Sequence, residues 1–182
     1  MDLQDFDGQL MYFDEPMSDD VRDLIALASE LYGQADEEGA AEAALKKALT
    51  LAPDNLSVLV ALYRFYYYQH RLRDALTIAH DVLLRVAPDI GFPADWERLT
   101  ARHLANGVQS SFTLVRFYLM TLKGAAYLNL RLDQREIAVR MLSRIVEFDS
   151  HDRLGAKALL MVVGPTELTL HRSTSDGRSD IG

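Results

Sequence analysis

The residues best suited to chemistry form an aromatic run, YRFYYYQH, that occupies positions 63–70. On a helix, eight consecutive side chains point in all directions, so some of these rings must lie on the surface. Tyrosine and arginine dominate binding hot spots, because each combines a large contact area with hydrogen-bonding groups. The run therefore predicts a surface that binds a partner. The alternative is that the rings only fill contacts with neighbouring helices.

The histidines and carboxylates do not form a catalytic pattern. No two of the five histidines are three or four residues apart, the spacing at which a helix would present a pair of histidine ligands to a metal. The chain has no cysteine, no nucleophile elbow, no phosphate loop and no dinucleotide fingerprint. Glu42 and Lys46 have the spacing of a surface ion pair on a helix. We therefore expect no enzymatic activity, no metal and no cofactor.

Acidity is concentrated at the start of the chain. Residues 1–20 contain seven acidic residues and no lysine or arginine, whereas the remainder contains twenty acidic and nineteen basic residues. Because this nearly neutral body has no basic face, we expect neither nucleic acid nor an anionic membrane as a partner. The start lacks the pattern of a secretion signal, and no apolar stretch is long enough to cross a bilayer. The expected location is the cytoplasm.

The first twenty residues also carry apolar side chains between the acids. We interpret them as a solvated acidic arm. The alternative is a docking segment that inserts Phe6, Leu10, Tyr12 and Phe13 into a groove of its own or of a neighbouring chain. Residues 164–182 are polar and are predicted to be a disordered or loosely attached tail. The body between these segments, residues 21–163, is predicted to be one helical domain.

Apolar spacing predicts helices throughout this body. They cover residues 21–34, 40–51, 56–70, 73–86, 94–106, 110–130, 134–148 and 152–163. Asp133 and Glu136 have capping-box spacing at the start of the seventh helix. Four arginines, Arg131, Arg135, Arg140 and Arg144, are interpreted as a solvated face, the alternative being a contact surface for an acidic partner.

Small residues and prolines recur with a period of 34 or 35 residues. Ala41, Leu45, Ala48 and Pro53 are followed at this interval by Ala75, Ala79, Val82 and Pro88. Small side chains allow two helices to approach closely, and alanine favours the helix itself. A period of this length is typical of a helix-turn-helix repeat whose units stack to bury their apolar faces.

In these positions the chain resembles the tetratricopeptide repeat family over residues 22–160. The first unit matches at Ile25, Ala28, Ser29, Tyr32, Ala41, Leu45, Ala48 and Pro53, the second at Leu59, Leu62, Tyr66, Ala75, Ala79 and Val82, and the third at Met120, Gly124 and Tyr127. Tyr63 departs from the pattern, which has a small residue there. It predicts a wider helix crossing or a local aromatic plug.

The resemblance implies that the first helix of each unit lines a groove that binds a peptide. Its groove positions correspond to six residues that we predict to contact a partner: Arg64, Tyr67, Tyr68, Tyr118, Thr121 and Asn129. The first unit supplies Asp23 and Glu30, so the groove is not expected to clamp a terminal carboxylate. An acidic end and an aromatic middle suit an extended or helical segment with apolar anchors.

The sequence as a whole predicts an all-α stack of three antiparallel helical hairpins, a solenoid like that of tetratricopeptide repeats, with an inserted helix and a C-terminal closing helix. The expected function is a non-enzymatic adaptor or chaperone that binds a protein or peptide client in its groove. One alternative is a structural subunit of a permanent homo- or hetero-oligomer. Another is an enzyme whose Glu or His groups converge in a helical pocket.

Overall fold

The computed structural model describes residues 16–34 and 37–163, and no strand occurs among them. The helices are α1 (Asp19–Leu31), α2 (Glu38–Leu51), α3 (Leu56–Tyr68), α4 (Leu72–Val86), α5 (Ala101–Arg131), α6 (Arg135–Phe148) and α7 (Ala156–Val163). They form three hairpins, α1/α2, α3/α4 and α5/α6, and α7 packs on α6. The predicted all-α class is confirmed. Most of the acidic arm and the predicted tail lie outside the described residues.

Alanines at the helix crossings hold the hairpins together. Ala41, Ala48, Ala75 and Ala79 are completely buried, and they lie on the second helices of the first two hairpins. Between hairpins, α2 contacts α3 and α4 contacts α5. The repeated small residues therefore lie in the core, as their spacing predicts. In the described part of the chain, no helix is both long enough and apolar enough to span a membrane.

The last acidic residues of the predicted arm belong to the first helix. Ser18 is the N-cap of α1, and its hydroxyl accepts a hydrogen bond from the Val21 backbone N–H. Asp19 and Asp20 form the first turn, where the helix dipole favours negative charge. The folded body thus begins a few residues before the predicted boundary at residue 21.

Each hairpin turn contains a residue with left-handed backbone conformation among its described residues. These residues are Gly33, His70 and Asp133, with φ angles of 81°, 57° and 62°. The capping box predicted for Asp133 is wrong. Because Asp133 adopts the left-handed conformation, the N-cap of α6 is the next residue, Gln134, whose side chain makes no capping hydrogen bond.

The inserted segment between α4 and α5 differs from the predicted helix over residues 94–106. Two short 3-10 turns, Ala87–Ile90 and Trp96–Arg98, precede a helix that begins only at Ala101. Thr100 caps this helix in a capping box with His103. The backbone of α5 is non-helical at Ser111, close to the break predicted between residues 106 and 110.

Candidate partner-binding face

Five tyrosines from three hairpins form a row that we call the tyrosine ladder: Tyr32, Tyr68, Tyr67, Tyr63 and Tyr127. The ring centroids of Tyr32 and Tyr68 are 6.3 Å apart, those of Tyr68 and Tyr67 5.5 Å, and those of Tyr67 and Tyr63 6.2 Å. Burial and then the neighbouring Tyr127 hydroxyl raise the pKa of Tyr67, which places Tyr127 of α5 beside this ring. These distances are typical of favourable aromatic pairs. The ladder therefore connects all three hairpins.

The aromatic run of α3 divides between the core and the ladder. Phe65 and Tyr66 are buried, whereas Tyr67 and Tyr68 are only half-buried. Tyr32, at the end of α1, keeps 43% of its surface exposed and also contacts Phe65 edge-on. Part of the run fills the interior, and part of it presents rings that another molecule can reach.

Tyr63 extends from α3 to α5 and lies against Gly124. A Cβ atom on Gly124 would be 3.0 Å from the Tyr63 hydroxyl oxygen, so the absence of a side chain at Gly124 makes room for the ring. Burial raises the pKa of the Tyr63 hydroxyl. This is the arrangement of an aromatic plug, one of the two outcomes predicted from the unusual size of Tyr63.

The end of the ladder on α5 carries a positive charge. At the α5 end, the Arg131 guanidinium donates a hydrogen bond of 3.2 Å to the Tyr127 hydroxyl and lies 5.9 Å from the ring centroid. At the α1 end, burial and then the neighbouring Tyr68 and Glu38 raise the pKa of Tyr32. Burial likewise raises the pKa of Tyr67. Tyr32 and Tyr67 therefore remain neutral hydrogen-bonding groups at physiological pH.

A carboxylate network fixes the α3/α4 turn beside the ladder. Glu42 of α2 accepts hydrogen bonds from the Tyr66 hydroxyl at 3.2 Å and from Arg71 at 2.6 Å. It also pairs with Lys46 at 2.8 Å, as predicted from their spacing. The Arg71 guanidinium covers the Tyr66 ring at 4.5 Å. The hydrogen bond from Arg71, aided by Lys46, lowers the pKa of Glu42 to about 2.

Three of the six predicted contact residues lie in or near the ladder. Tyr67 and Tyr68 are members of it. Arg64 is exposed on α3, three and four residues before them and hence on the same side of the helix. Thr121 is half-buried, and its hydroxyl donates a 2.9 Å hydrogen bond to the Phe117 carbonyl within α5. No described contact brings Thr121 to the ladder.

The prediction that Tyr118 and Asn129 line an open groove is wrong, because both are buried, at 0% and 1% exposed. Tyr118 contacts the ring of Phe92 edge-on at 5.0 Å, and burial, followed by Asp95, raises its pKa to about 12. The Asn129 amide donates to the Ala125 carbonyl at 2.8 Å. Both residues occupy the side of α5 that packs into the core.

Sequence reasoning assigned no contact role to Tyr32 and Tyr127, and it gave Arg131 a contact role only as an alternative. Tyr32 and Tyr127 appeared only as repeat-pattern residues, and Arg131 only as part of a basic series. A signal for Tyr127 existed: it follows Gly124 by three residues, so both occupy one side of α5. Since Gly124 faces Tyr63, Tyr127 must lie near Tyr67.

The remaining arginines of the basic series make contacts within the chain. Arg140 pairs with Glu97 at 3.0 Å, and Arg144 donates to the Glu97 carbonyl at 2.9 Å. Arg135 donates to the backbone carbonyl of Val163. These contacts attach the 3-10 turn around Glu97 and the end of α7 to α6. Within residues 16–34 and 37–163, no group of three His, Asp or Glu side chains is arranged to hold a metal ion.

A protein from Azotobacter chroococcum mcd 1 is similar to this chain over nearly its full length. It is named as an uncharacterized 19.8 kDa protein in the nifW 5′ region, and it is 48% identical over 163 residues, which cover 90% of this chain and 89% of the relative. The chain belongs to the family of this protein. No family model matches the chain, and no solved structure matches it.

Proposed function

We propose that this protein is a non-enzymatic adaptor or chaperone, working in the cytoplasm, that holds a segment of a client protein against the tyrosine ladder. The tyrosine ladder is the observation that supports this proposal. Its rings form an unbroken series of contacts from the first hairpin through the second, Tyr127 of the third hairpin lies beside Tyr67, and the rings remain partly uncovered. We also infer that the hairpins form a solenoid of the tetratricopeptide type, supported by the buried alanines at the helix crossings.

The chemistry of the ladder favours binding over a purely structural role. Tyrosine rings offer apolar area, and their hydroxyls can exchange hydrogen bonds with a polypeptide backbone. Contacts among the rings hold the ladder side chains in place, and the Glu42 network fixes the neighbouring Tyr66. A preorganised surface loses little conformational entropy when a partner binds.

The gene context of the relative suggests where to look for a client. Its name places its gene in the 5′ region of nifW. We therefore propose the products of nifW and of the genes beside it as the first candidates. Each can be produced together with the chain, and the complex recovered through a tag on the chain.

Substitution of the ladder tests the proposal. Replacing Tyr67 and Tyr68 together by alanine should weaken client affinity by about 2 to 4 kcal/mol, as for paired aromatic hot spots, while the helical circular dichroism is retained. Phe112→Ala is the matched control, because Phe112 is 61% exposed and belongs to α5 but not to the ladder. If the parent, the double alanine variant and Phe112→Ala bind the client with equal affinity in a calorimetric titration, the ladder is not part of the binding site.

Light scattering separates this proposal from a permanent oligomer. If the ladder binds a client reversibly, the free protein should remain soluble at constant mass across a dilution series. A chain that never occurs without a partner, or that unfolds on dilution, would instead be a structural subunit.

A further inference from the structure

We propose that the outer side of α7 is a docking site for the chain's own residues 165–171, which fold back over it as a strap. The strap gives an attachment to part of the tail that the sequence predicts to be disordered or loosely attached. No residue of α7 belongs to the tyrosine ladder, so this inference does not depend on the proposed function.

The closing helix α7 is apolar on both of its sides. Its inner side packs into the core through Ala156, which is completely buried, and through Leu159 and Leu160. On its outer side, Met161 and Val162 are 71% and 85% exposed, more than any other large apolar side chain in residues 16–34 and 37–163. A helix that is apolar all round is normally buried, and the last helix of a stack normally has a polar outer side. The outer side of α7 is therefore a surface suited to a cover.

The size of this surface favours a short segment as its occupant. α7 has eight residues, so it is about 12 Å long and about 10 Å wide, and its outer side offers on the order of 100 to 200 Å². A stable contact between two folded proteins takes about 800 Å² from each of them. A second folded copy of the chain would therefore gain too little from this surface alone. A segment that is already attached loses far less freedom when it docks.

The position of α7 favours the segment that follows it over the acidic arm. Val163 is the last residue of α7, and Arg135 of α6 donates a hydrogen bond to its backbone carbonyl. Residue 164 therefore begins at this surface. The arm instead precedes α1 in the first hairpin, and the second hairpin lies between that hairpin and the one on which α7 packs. The local concentration of residues 165–171 at α7 is accordingly the higher of the two.

The sequence after α7 suits a strap. Pro165 cannot continue the helix, and Gly164 permits a reversal of the chain. Leu168 and Leu170 are the only large apolar residues in 164–180, and in an extended segment they lie on the same side. At about 3.3 Å per residue, Leu168 can lie up to about 17 Å from the end of α7, which covers the length of the helix. Both leucines can therefore reach its exposed apolar side chains.

Charge agrees with the direction of the strap. Lys157 is the only charged residue of α7 and is exposed near the start of the helix. Glu167 is the only acidic residue in 164–175, and a strap that runs back along α7 carries it towards Lys157. Because an exposed ion pair contributes little free energy, this pair would align the strap, and the leucines would hold it.

A spin label in the intact chain tests the contact. The chain has no cysteine, so Thr169→Cys carries a single nitroxide between the two leucines. The label should broaden the backbone amide resonances of residues 158–162. Adding Leu168→Ser with Leu170→Ser to the labelled protein, or Met161→Ser with Val162→Ser, should reduce this broadening about threefold. Equal broadening in all three labelled proteins would show that the tail is only tethered, and it would overturn the strap.

Hydrogen exchange gives a second readout without a label. Leu168→Ser with Leu170→Ser should speed the exchange of the α7 amides about fivefold, because the helix loses its cover. Ile181→Ser is the matched control, since it removes an apolar residue of the tail outside the strap, and it should leave this exchange unchanged. Exchange in α7 that ignores both changes would contradict the proposal.

Mixed samples distinguish the chain's own strap from a second copy. One partner in the mixture is ¹⁵N-labelled and carries no nitroxide, and the other carries the nitroxide at position 169 and no ¹⁵N. The α7 resonances should stay sharp in this mixture. Broadening between molecules would show that a neighbouring copy occupies α7, and it would overturn the assignment to the same chain.

Discussion

Tyr63 and Gly124 fit together across the contact between α3 and α5, since a Cβ atom at position 124 would lie 3.0 Å from the Tyr63 hydroxyl oxygen. Such a contact would be tighter than ordinary van der Waals separation. The lack of a side chain at position 124 leaves room for the Tyr63 ring, which stacks on Tyr67 at an interplanar angle of 16°. The size of residue 124 therefore controls the position of the tyrosine ladder.

A double-mutant cycle measures this fit. Gly124→Ala alone should destabilise the protein by about 1 kcal/mol, because the added methyl group crowds the Tyr63 hydroxyl. In a Tyr63→Phe background the hydroxyl is gone, and the same change should stabilise by about 0.5 to 1 kcal/mol, the gain expected from replacing glycine within a helix. Urea unfolding of the four proteins gives the coupling energy. A Gly124→Ala effect that is the same in both backgrounds would show that the two residues do not interact.

A second close approach occurs at Gly107, where α5 passes the loop that follows α4. A Cβ atom there would lie 2.6 Å from Phe92 Cε1, 3.0 Å from Val115 Cγ2 and 3.1 Å from the Ile90 carbonyl oxygen. Gly107→Ala should destabilise by about 1 to 3 kcal/mol through overpacking.

Gly39→Ala is the control for this change. Gly39 is also helical, but no atom lies within 4 Å of its added Cβ. This change should be neutral or stabilise by up to about 1 kcal/mol. Thermal unfolding of both variants compares them, and a Gly107→Ala protein at least as stable as the parent would contradict the described contact.

Glu42 should make stability depend on pH in the acidic range. Its pKa is about 2 in the folded protein against an ordinary value of 4.5, so its stabilising effect is complete above pH 4.5 and is lost as pH falls towards 2. Because Arg71 and Lys46 are substantially exposed, solvent screening reduces the expected contribution to about 1 to 2 kcal/mol.

Unfolding midpoints measured at several pH values test the role of Glu42. Glu42→Gln should be less stable than the parent at pH 7, and the difference should shrink steadily below pH 4.5. Glu30→Gln, which changes an exposed carboxylate on α1, should differ little from the parent at either pH. A constant deficit of Glu42→Gln from pH 7 to pH 2.5 would mean that its charge is not the stabilising feature.

The hairpin turns offer a stabilising substitution. His70 and Asp133 have φ angles of 57° and 62°, a conformation that glycine adopts without steric cost. His70→Gly and Asp133→Gly should each stabilise by about 0.5 to 1 kcal/mol. Gly33→Ala, at the equivalent turn with φ 81°, should destabilise by about 1 kcal/mol. If thermal melting shows that His70→Gly and Asp133→Gly are less stable than the parent and that Gly33→Ala is more stable, the turn conformations are not as described.

The helices and their pairing were predictable because they depend on local periodicity. Ala41, Ala48, Ala75 and Ala79 repeat at fixed spacing, and each is buried where two helices cross. The ends of elements were less predictable. The left-handed conformation of Asp133 depends on how the α5/α6 hairpin closes, and nothing in the neighbouring residue types signals it.

The third hairpin shows why the predicted site was only partly correct. Aligning the third repeat on Met120, Gly124 and Tyr127 placed two of the expected groove residues, Tyr118 and Asn129, on the side of α5 that is buried. The stripe formed by Tyr118, Leu122, Ala125 and Asn129 has intervals of four, three and four residues and is buried throughout. That spacing is typical of the side of a helix that faces the core. It predicts the burial of Tyr118 and Asn129, whereas the family's groove positions do not.

Hydrogen–deuterium exchange of the protein, alone and bound to a client identified by co-purification, tests the central claim most directly. If the tyrosine ladder is the binding face, exchange should slow in peptides that cover residues 63–71 and 124–132 and stay unchanged around residue 112. Slower exchange confined to α2, α4 or α7, with the ladder peptides unaffected, would contradict it.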